Sequence, residues 1–373
     1  MRVQADRMPL LFCARAGGLV ALLSIATPAQ AEEPKRYFYT HPTYGSQSLQ
    51  SPVYALLNRG YDNLQLRPKS HAMQVSATDT WNVLENLADP FSAIAGSGEG
   101  WKTFLTNEVF PLSYGKNSAR WAPNYGLHLL GGGETYAWMR EWFIAHEASE
   151  LAATFFSAAT MLAGALVNES IENKGVKGYN TDAIADIYLF DLGGIVLFGF
   201  EAVRKFFSTT VILSDWSLQP AITYPHGDLH NVGNYYALKV PIPFHERLRL
   251  FAWGGVSTIG GLSYKLDREY SISLGGGVRG DRFDNIGGVT VLSNIVRFKP
   301  SAAIFFDRNE SLLASLQVSN VIDYFISANV YPNAFIHTDP GVGGWTAIGQ
   351  DGKWLVGLSF THTLGLGLGL GTR

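Results

Sequence analysis

Cysteine is almost missing from this 373-residue chain, and the one example, Cys13, falls in a stretch expected to be removed. A mature chain without a thiol excludes thiol nucleophiles, thiolate zinc sites and disulfide scaffolds. Charge is scarce as well. Only 16% of residues are charged and the formal net charge is −3, so no basic surface points to a nucleic-acid partner. No Gly-x-Ser-x-Gly elbow surrounds Ser149, Ser157, Ser170 or Ser208. The glycine-rich runs at residues 254–261 and 275–280 stand in strand context rather than between a strand and a helix. They are expected to be turns or bulges that cradle no phosphate. His226 and His230 would resemble a metal pair only on a helix, and Pro225 with Gly227 makes that stretch a loop.

Aromatics are plentiful at 13%, and glycine reaches 40 residues. Mean hydropathy lies just above zero, at +0.06. A β-barrel in lipid has this balance, because only alternate side chains face the hydrocarbon. Residues 1–31 read as a secretory signal: Arg2 and Arg7, an apolar run, then Ala29-Gln30-Ala31 as a small-x-small cleavage site.

Residues 32–77 form a polar and aromatic arm, expected to be extended, with Asn58-Arg59-Gly60-Tyr61-Asp62 as a turn. Its role as plug, first strand or tether stays open. Residues 78–216 carry helical periodicity, with Asp79 as an N-cap and a stop at Asp89-Pro90. Gly131-Gly132-Gly133 would be costly inside a helix without a packing partner and points either to a break or to very close approach by a neighbouring backbone. Residues 151–167 have no charge and many alanines, a pattern that lets helices touch and is borderline in length for a bilayer span.

From residue 217 onward the period becomes two. Tyr236, Leu238 and Val240 share a face, and so do Ile272 and Leu274, Leu312 and Leu316, and Trp354, Val356 and Leu358. Roughly eight or nine candidate strands follow Val232, with hairpin turns at residues 243–245 and 307–310. The expected fold is α+β: a helical bundle domain followed by an antiparallel transmembrane β-barrel of about 8 to 10 strands at residues 217–373.

Three apolar runs of the helical part carry ionisable residues, and a buried charge is expensive unless paired. His128 and Glu134 lie on the first run, and Asn168, Glu169, Glu172 and Asn173 end the second. Asn180, Asp182, Asp186 and Asp191 lie on the third. If the runs pack as a bundle, His128, Glu169, Asp182 and Asp186 can converge. Bundle cores assemble His–carboxylate metal sites in this way, and a divalent cation there would suit hydrolysis of a phosphoester or acyl bond. The plainer alternative carries more weight. Thr181 or Asp182 is then an N-cap, Glu172-Asn173 a helix end, and His128 a register-fixing hydrogen-bond partner, with Arg140, Arg204 and Lys205 as counter-ions.

The stretch from Asn124 through His128-Leu129-Leu130-Gly131-Gly132-Gly133 to Tyr136 has a recognisable form. So do Asn168-Glu169-Ser170-Ile171-Glu172-Asn173 and the run from Asn180-Thr181-Asp182 to Gly194. Together they resemble a bacterial cell-envelope family catalogued only as a domain of unknown function. In that family a helical unit precedes a β-rich part. The resemblance covers roughly the middle third and implies a Gram-negative envelope protein, with no chemistry to carry over.

Two readings follow. In the first, this is an outer-membrane barrel in contact with membrane lipid, carrying a periplasm-facing helical domain that packs at the barrel mouth or plugs its lumen. That domain has a structural, binding or transport-accessory role. His128, Glu169, Glu172, Asp182 and Asp186, with Asn124, Glu134, Asn168, Asn173, Asn180 and Asp191, then form a locking network or a site for a small molecule or lipid. In the second, an enzyme acts on envelope lipid or lipopolysaccharide. His128 is its base or ligand, and Glu169 with Asp182 or Asp186 holds a metal or activates water. A periplasmic β-sandwich is the third outcome to test against.

Overall fold

Period-two patterning dominates the C-terminal half of the computed structural model. It describes residues 35–40, 42–66, 75–98, 100–111, 122–175, 178–286 and 293–372. The expected signal segment, with Cys13, lies outside the described residues. The strands are β1 Ile212–Asp215, β2 Ala221–Tyr224, β3 Asp228–His230, β4 Tyr236–Pro241, β5 Leu248–Gly254, β6 Ser257–Lys265 and β7 Tyr270–Ile286. They continue as β8 Ser293–Arg308, β9 Ser311–Ser319, β10 Ile326–Val330, β11 Val342–Ile348, β12 Trp354–Phe360 and β13 Gly367–Gly371.

All belong to one 13-stranded sheet in the order β1-β4-β5-β6-β7-β8-β9-β10-β11-β12-β13-β2-β3. The run from β4 to β13 is an antiparallel meander, whereas β13 pairs with β2 in parallel. The sheet is therefore mixed, not purely antiparallel, and its strands exceed the expected 8 to 10. The end strands β1 and β3 do not pair with each other, so the sheet is not closed. The chain turns where expected between β4 and β5. Between β8 and β9, Asn309 and Glu310 both take positive φ, the mirror-type two-residue turn that matches strand twist.

Alternation separates the two surfaces. One row of directly opposed residues runs Val240, Leu250, Leu262, Leu274, Ile304, Leu316, Ala328, Thr346, Val356, Leu370, Tyr224. A parallel row runs Leu248, Tyr264, Ile272, Phe306, Ala314, Val330, Gly344, Leu358, Leu368, Ile222. Leu250, Leu262, Leu274, Ile304, Leu316, Leu358, Leu368 and Leu370 on these rows are all exposed. The intervening row is enclosed: Arg249, Ser263, Ser273, Phe305, Asn329, Trp345 and Thr223 are buried. The inner surface is curled tightly enough for β4 to reach β8, where Lys239 Nζ stands 2.7 Å from Asp307 Oδ1 and 2.6 Å from Glu310 Oε2. Trp216, Tyr235, Trp253 and Phe305 fill the same interior.

The helices are α1 Pro52–Gly60, α2 Ala77–Ala88, α3 Pro90–Gly96, α4 Gly100–Thr103, α5 Gly132–Ala145, α6 Glu150–Glu172, α7 Asp182–Ile184, α8 Leu192–Gly199 and α9 Glu201–Lys205. The arm is thus helical where an extended segment was expected. Ser51 caps α1 by accepting from Tyr54 N at 3.1 Å, and Pro52 suits the first helical position. The N-cap of α2 is Ser76 rather than Asp79, whose carboxylate accepts from Gly175 N instead. Tyr37–Arg373 make up one compact unit.

The helical part lies against β1 and the outer side of β4. Tyr236, on the same side of β4 as Leu238 and Val240, donates to or accepts from Thr135 Oγ1 at 2.7 Å. Trp138 Nε1 donates to Asp215 Oδ2 at 3.1 Å. The three glycines explain this fit. A Cβ on Gly131 would strike the Tyr236 ring, one on Gly132 would meet Met161 and Arg59, and one on Gly133 would meet Phe198 and the carbonyl of Gly194. Each glycine admits a different neighbour, and the expected approach of another backbone occurs at Gly133, against Gly194 O.

Candidate functional site

Two π-helical segments build the centre of the ionisable cluster. Residues Ala122–Gly131 carry His128, and Ala185–Asp191 carry Asp186 and Asp191. The i→i+5 bonding of a π-helix brings residues five apart nearly above one another, whereas an α-helix would set them roughly 140° apart. Asp186 and Asp191 therefore flank a single ring. His128 Nδ1 lies 3.0 Å from Asp191 Oδ1, and Nε2 lies 3.4 Å from Asp186 Oδ2. Arg59, the last-turn cation of α1, donates through Nη2 to the same Asp191 Oδ1. Arg59, Asp186 and Asp191 are buried, and the His128 ring is nearly so.

Around this core the polar groups interlock by short links. Asn63 Nδ2 donates to Glu172 Oε2 at 2.9 Å, and Asn63 N to Asn168 Oδ1 at 3.4 Å. Asn173 Nδ2 donates to buried Glu169 Oε2 at 3.3 Å, and Asn180 donates to Asn173 Oδ1. Thr181 stands at the N-cap of α7 without a side-chain capping bond, and Asn180 Oδ1 instead accepts from Asp182 N at 3.0 Å. Asp62 Oδ1 accepts from Asn234 N, and Asn58 Oδ1 from Gly233 N, both at 2.9 Å, which ties α1 and its following turn to the approach to β4.

Of the residues expected to converge, His128 and Asp186 meet directly, and Asp191, from the wider set, joins them. Glu169 lies in the same buried layer, close enough for its charge and that of Asp186 to interact. Glu172, Asn168, Asn173, Asn180 and Asp182 form the flanking chain. Asn124 and Glu134 do not join: Asn124 Nδ2 donates to Glu108 O at 2.9 Å, and buried Glu134 faces Asp215. Two of the expected counter-ions, Arg140 and Arg204, are engaged elsewhere. Arg140 bonds Thr154 and Glu150, and Arg204 bonds the carbonyls of Phe198 and Gly199. The actual counter-ion is Arg59, in a stretch read as a turn. A cation two turns beyond a Ser-Pro helix start in so weakly charged a chain was the available signal.

Charge distribution follows from burial and pairing. Burial alone would pull the His128 pKa down, but Asp186 and then Asp191 outweigh it and push it up to about 9. Burial raises Asp191, yet Arg59 and His128 together hold it below the usual carboxylate range. Asp186 goes the other way, pushed up to about 8 by burial against the pull of His128. Burial also lifts Asp62 to about 7, opposed by its bonds from Asn234 and Gln65.

At neutral pH His128 is accordingly a cation held between two carboxyl groups, and both ring nitrogens face an oxygen. That arrangement presents neither a free base nor a free imidazole ligand. Among the described residues, no group of three or more His, Cys, Asp or Glu side chains is placed to hold a metal ion. His230 lies on β3 and His226 in the turn before it, so they do not form a helical pair. A separate cavity of about 30 Å³ lies on the inner side of the sheet among Gln65, Tyr235, Arg279, Gln317, Asn329 and Trp345. It has room for about two waters. No protein-family model matches the chain, and neither does any curated protein or solved structure.

Proposed function

We propose that this is an outer-membrane barrel protein of the Gram-negative envelope, of the kind its middle third resembles, with a helical unit fastened to the barrel wall. The observation that carries the reading is the inverted sheet. Leucine, isoleucine and valine predominate in the outward rows, interrupted at positions such as Tyr264, Phe306, Ala328, Gly344 and Thr346, while the enclosed side sets serine, asparagine, arginine, lysine and aspartate among aromatics such as Trp216, Trp253 and Phe305. Water-soluble sheets do the reverse, and lipid-embedded barrels alternate in this sense.

Closure has its own support. Between β1 and β2, and between β3 and β4, Trp216 N donates to Tyr235 O at 2.8 Å and Leu218 N to Gly233 O at 3.0 Å. These bonds keep the register of the β1–β4 and β2–β3 ladders. Counting β1–β2 as one strand and β3–β4 as another leaves eleven strands, with β13 against β2 as the parallel seam.

The interior is filled, so the role proposed is structural and anchoring rather than that of an open channel. The Arg59–Asp191–His128–Asp186 network holds the arm and two helical segments together beside the wall. The direct test is fractionation of exported protein. Retention in carbonate-washed outer membranes, with a heat-dependent shift in gel mobility, is expected. Release by carbonate would refute the reading. Alanine at His128 should lower folded yield without altering envelope lipid by mass spectrometry. Normal folding with a changed lipid would favour the enzyme instead.

A further inference from the structure

Helix α6 reverses the size pattern of an ordinary surface helix. Its buried face is built of Ala153, Ser157, Met161, Gly164 and Ala165, whereas its outer face shows Leu151, Phe155 and Phe156, 75%, 59% and 49% exposed. Ala159 and Ala163 extend that outer face at i, i+4 spacing. Small residues inside and large apolar ones outside are what helices use when the solvent is lipid and contact depends on close packing. The close packing is present: Gly164 abuts the Arg59 side chain, and Gly60 of α1 abuts Val167.

Length and charge agree with this. The 23 residues of α6 would reach roughly 35 Å and its uncharged part about 26 Å, against a hydrocarbon core of about 30 Å. Residues 151–167 include no charge. Glu150 at one end pairs with Arg140 at 3.0 Å, and Glu172 at the other accepts from Asn63. Polar groups thus bracket an apolar span. The neighbours of α6 are themselves set against the wall, α5 through Thr135 and Trp138 and α1 through the bond from Asn58 Nδ2 to Leu218 O at 3.2 Å.

We infer that α6 stands beside the barrel at bilayer depth, with Leu151, Phe155, Phe156, Ala159 and Ala163 facing lipid acyl chains. The inference rests on the barrel reading, and it makes α6 part of the lipid-contacting surface rather than a lid over the barrel mouth.

Nitroxide labels on Ala159→Cys, Ala163→Cys, Leu274→Cys and Phe244→Cys variants, reconstituted in phospholipid vesicles, test it. Each variant must first show the heat-dependent mobility shift of the parent. Phe244, in the fully exposed β4–β5 turn, is the aqueous reference, and Leu274 is the reference for the outer wall. Labels at 159 and 163 should match the one at 274, with an oxygen-to-nickel accessibility ratio several-fold above that at 244. Nickel accessibility at 159 and 163 with a lipid-like 274 would overturn the placement of α6 and leave the barrel standing. Nickel accessibility at all four would remove both. Labels at 159 and 163 shielded from both probes would mean a protein covers the helix, which also overturns it. Quenching by brominated lipid of a tryptophan in Ala163→Trp is an independent check, and no quenching there would count against the inference.

Discussion

Arg59 and Asp191, 132 positions apart, meet in a buried ion pair whose carboxylate oxygen is shared with His128. A pair of this kind is costly to break from one side, because the remaining charge is left in a dry interior. Arg59→Met should therefore cost about 3–5 kcal/mol. Adding Asp191→Asn should cost less than the sum of the two single changes. Thermal unfolding of the refolded protein, arranged as a double-mutant cycle, measures this, and strict additivity would contradict the pairing.

His128 gives the cluster a pH signature. The ring is protonated in the folded state up to about 9, against an ordinary value of 6.5, because Asp186 and Asp191 face it while Arg59 opposes them. A pKa raised on folding means that the stabilisation is complete below about 6.5 and is lost as pH rises through about 9. The difference could reach about 3 kcal/mol. Melting temperature followed from pH 6 to 10 should fall more steeply for the parent than for His128→Gln, with the two curves converging at the alkaline end.

The crossing of α8 with residues 128–133 depends on bare backbone. A Cβ on Gly194 would lie 2.5 Å from Leu129 O and 3.0 Å from Gly133 N, both rigid atoms. Gly194→Ala should cost about 1–3 kcal/mol as the helices are forced apart. Gly126→Ala has nothing within 4 Å of the new methyl group and should change stability by no more than about 0.5 kcal/mol. Chemical denaturation of both variants separates the two cases.

The wall can be probed by charge. Leu274 faces outward at the middle of an apolar row, between Leu262 and Ile304. Leu274→Arg should destabilise the reconstituted protein by about 2–4 kcal/mol, as expected for a lipid-facing charge near mid-depth. Phe244→Arg, in a fully exposed turn, should be silent within about 0.5 kcal/mol. Equal tolerance at both positions would mean that water covers the outer face.

Inside the sheet, Lys239 neutralises Asp307 and Glu310, and Arg249 Nη1 adds a 2.7 Å contact to Glu310. Lys239→Met should strand Asp307 and cost about 3–5 kcal/mol. Pairing it with Asp307→Leu should restore part of the loss. Failure of that restoration, by thermal melts of the single and double variants, would argue against a mutual anchor.

How much of this was legible depends on the range of each signal. Strand alternation is local, so Tyr270, Ile272 and Leu274 announced their shared face, and the glycine triplet announced its close neighbours. The pairing of Asp186 and Asp191 on one ring was hidden, because five-residue spacing scatters side chains on an α-helix and converges only on a π-turn. Arg59 was hidden because α1 is short and lies in a polar arm whose helix start was marked only by Ser51-Pro52. The β13–β2 contact joins residues more than 140 positions apart, between Gly367 and Ala221 for example, and nothing near either residue records it.

That same-direction contact fixes the geography of the wall. In an up-and-down run whose opening and final segments advance the same way, the chain enters over one rim and leaves over the other. The entry into β1 and the departure from β13 therefore lie at opposite ends of the strands.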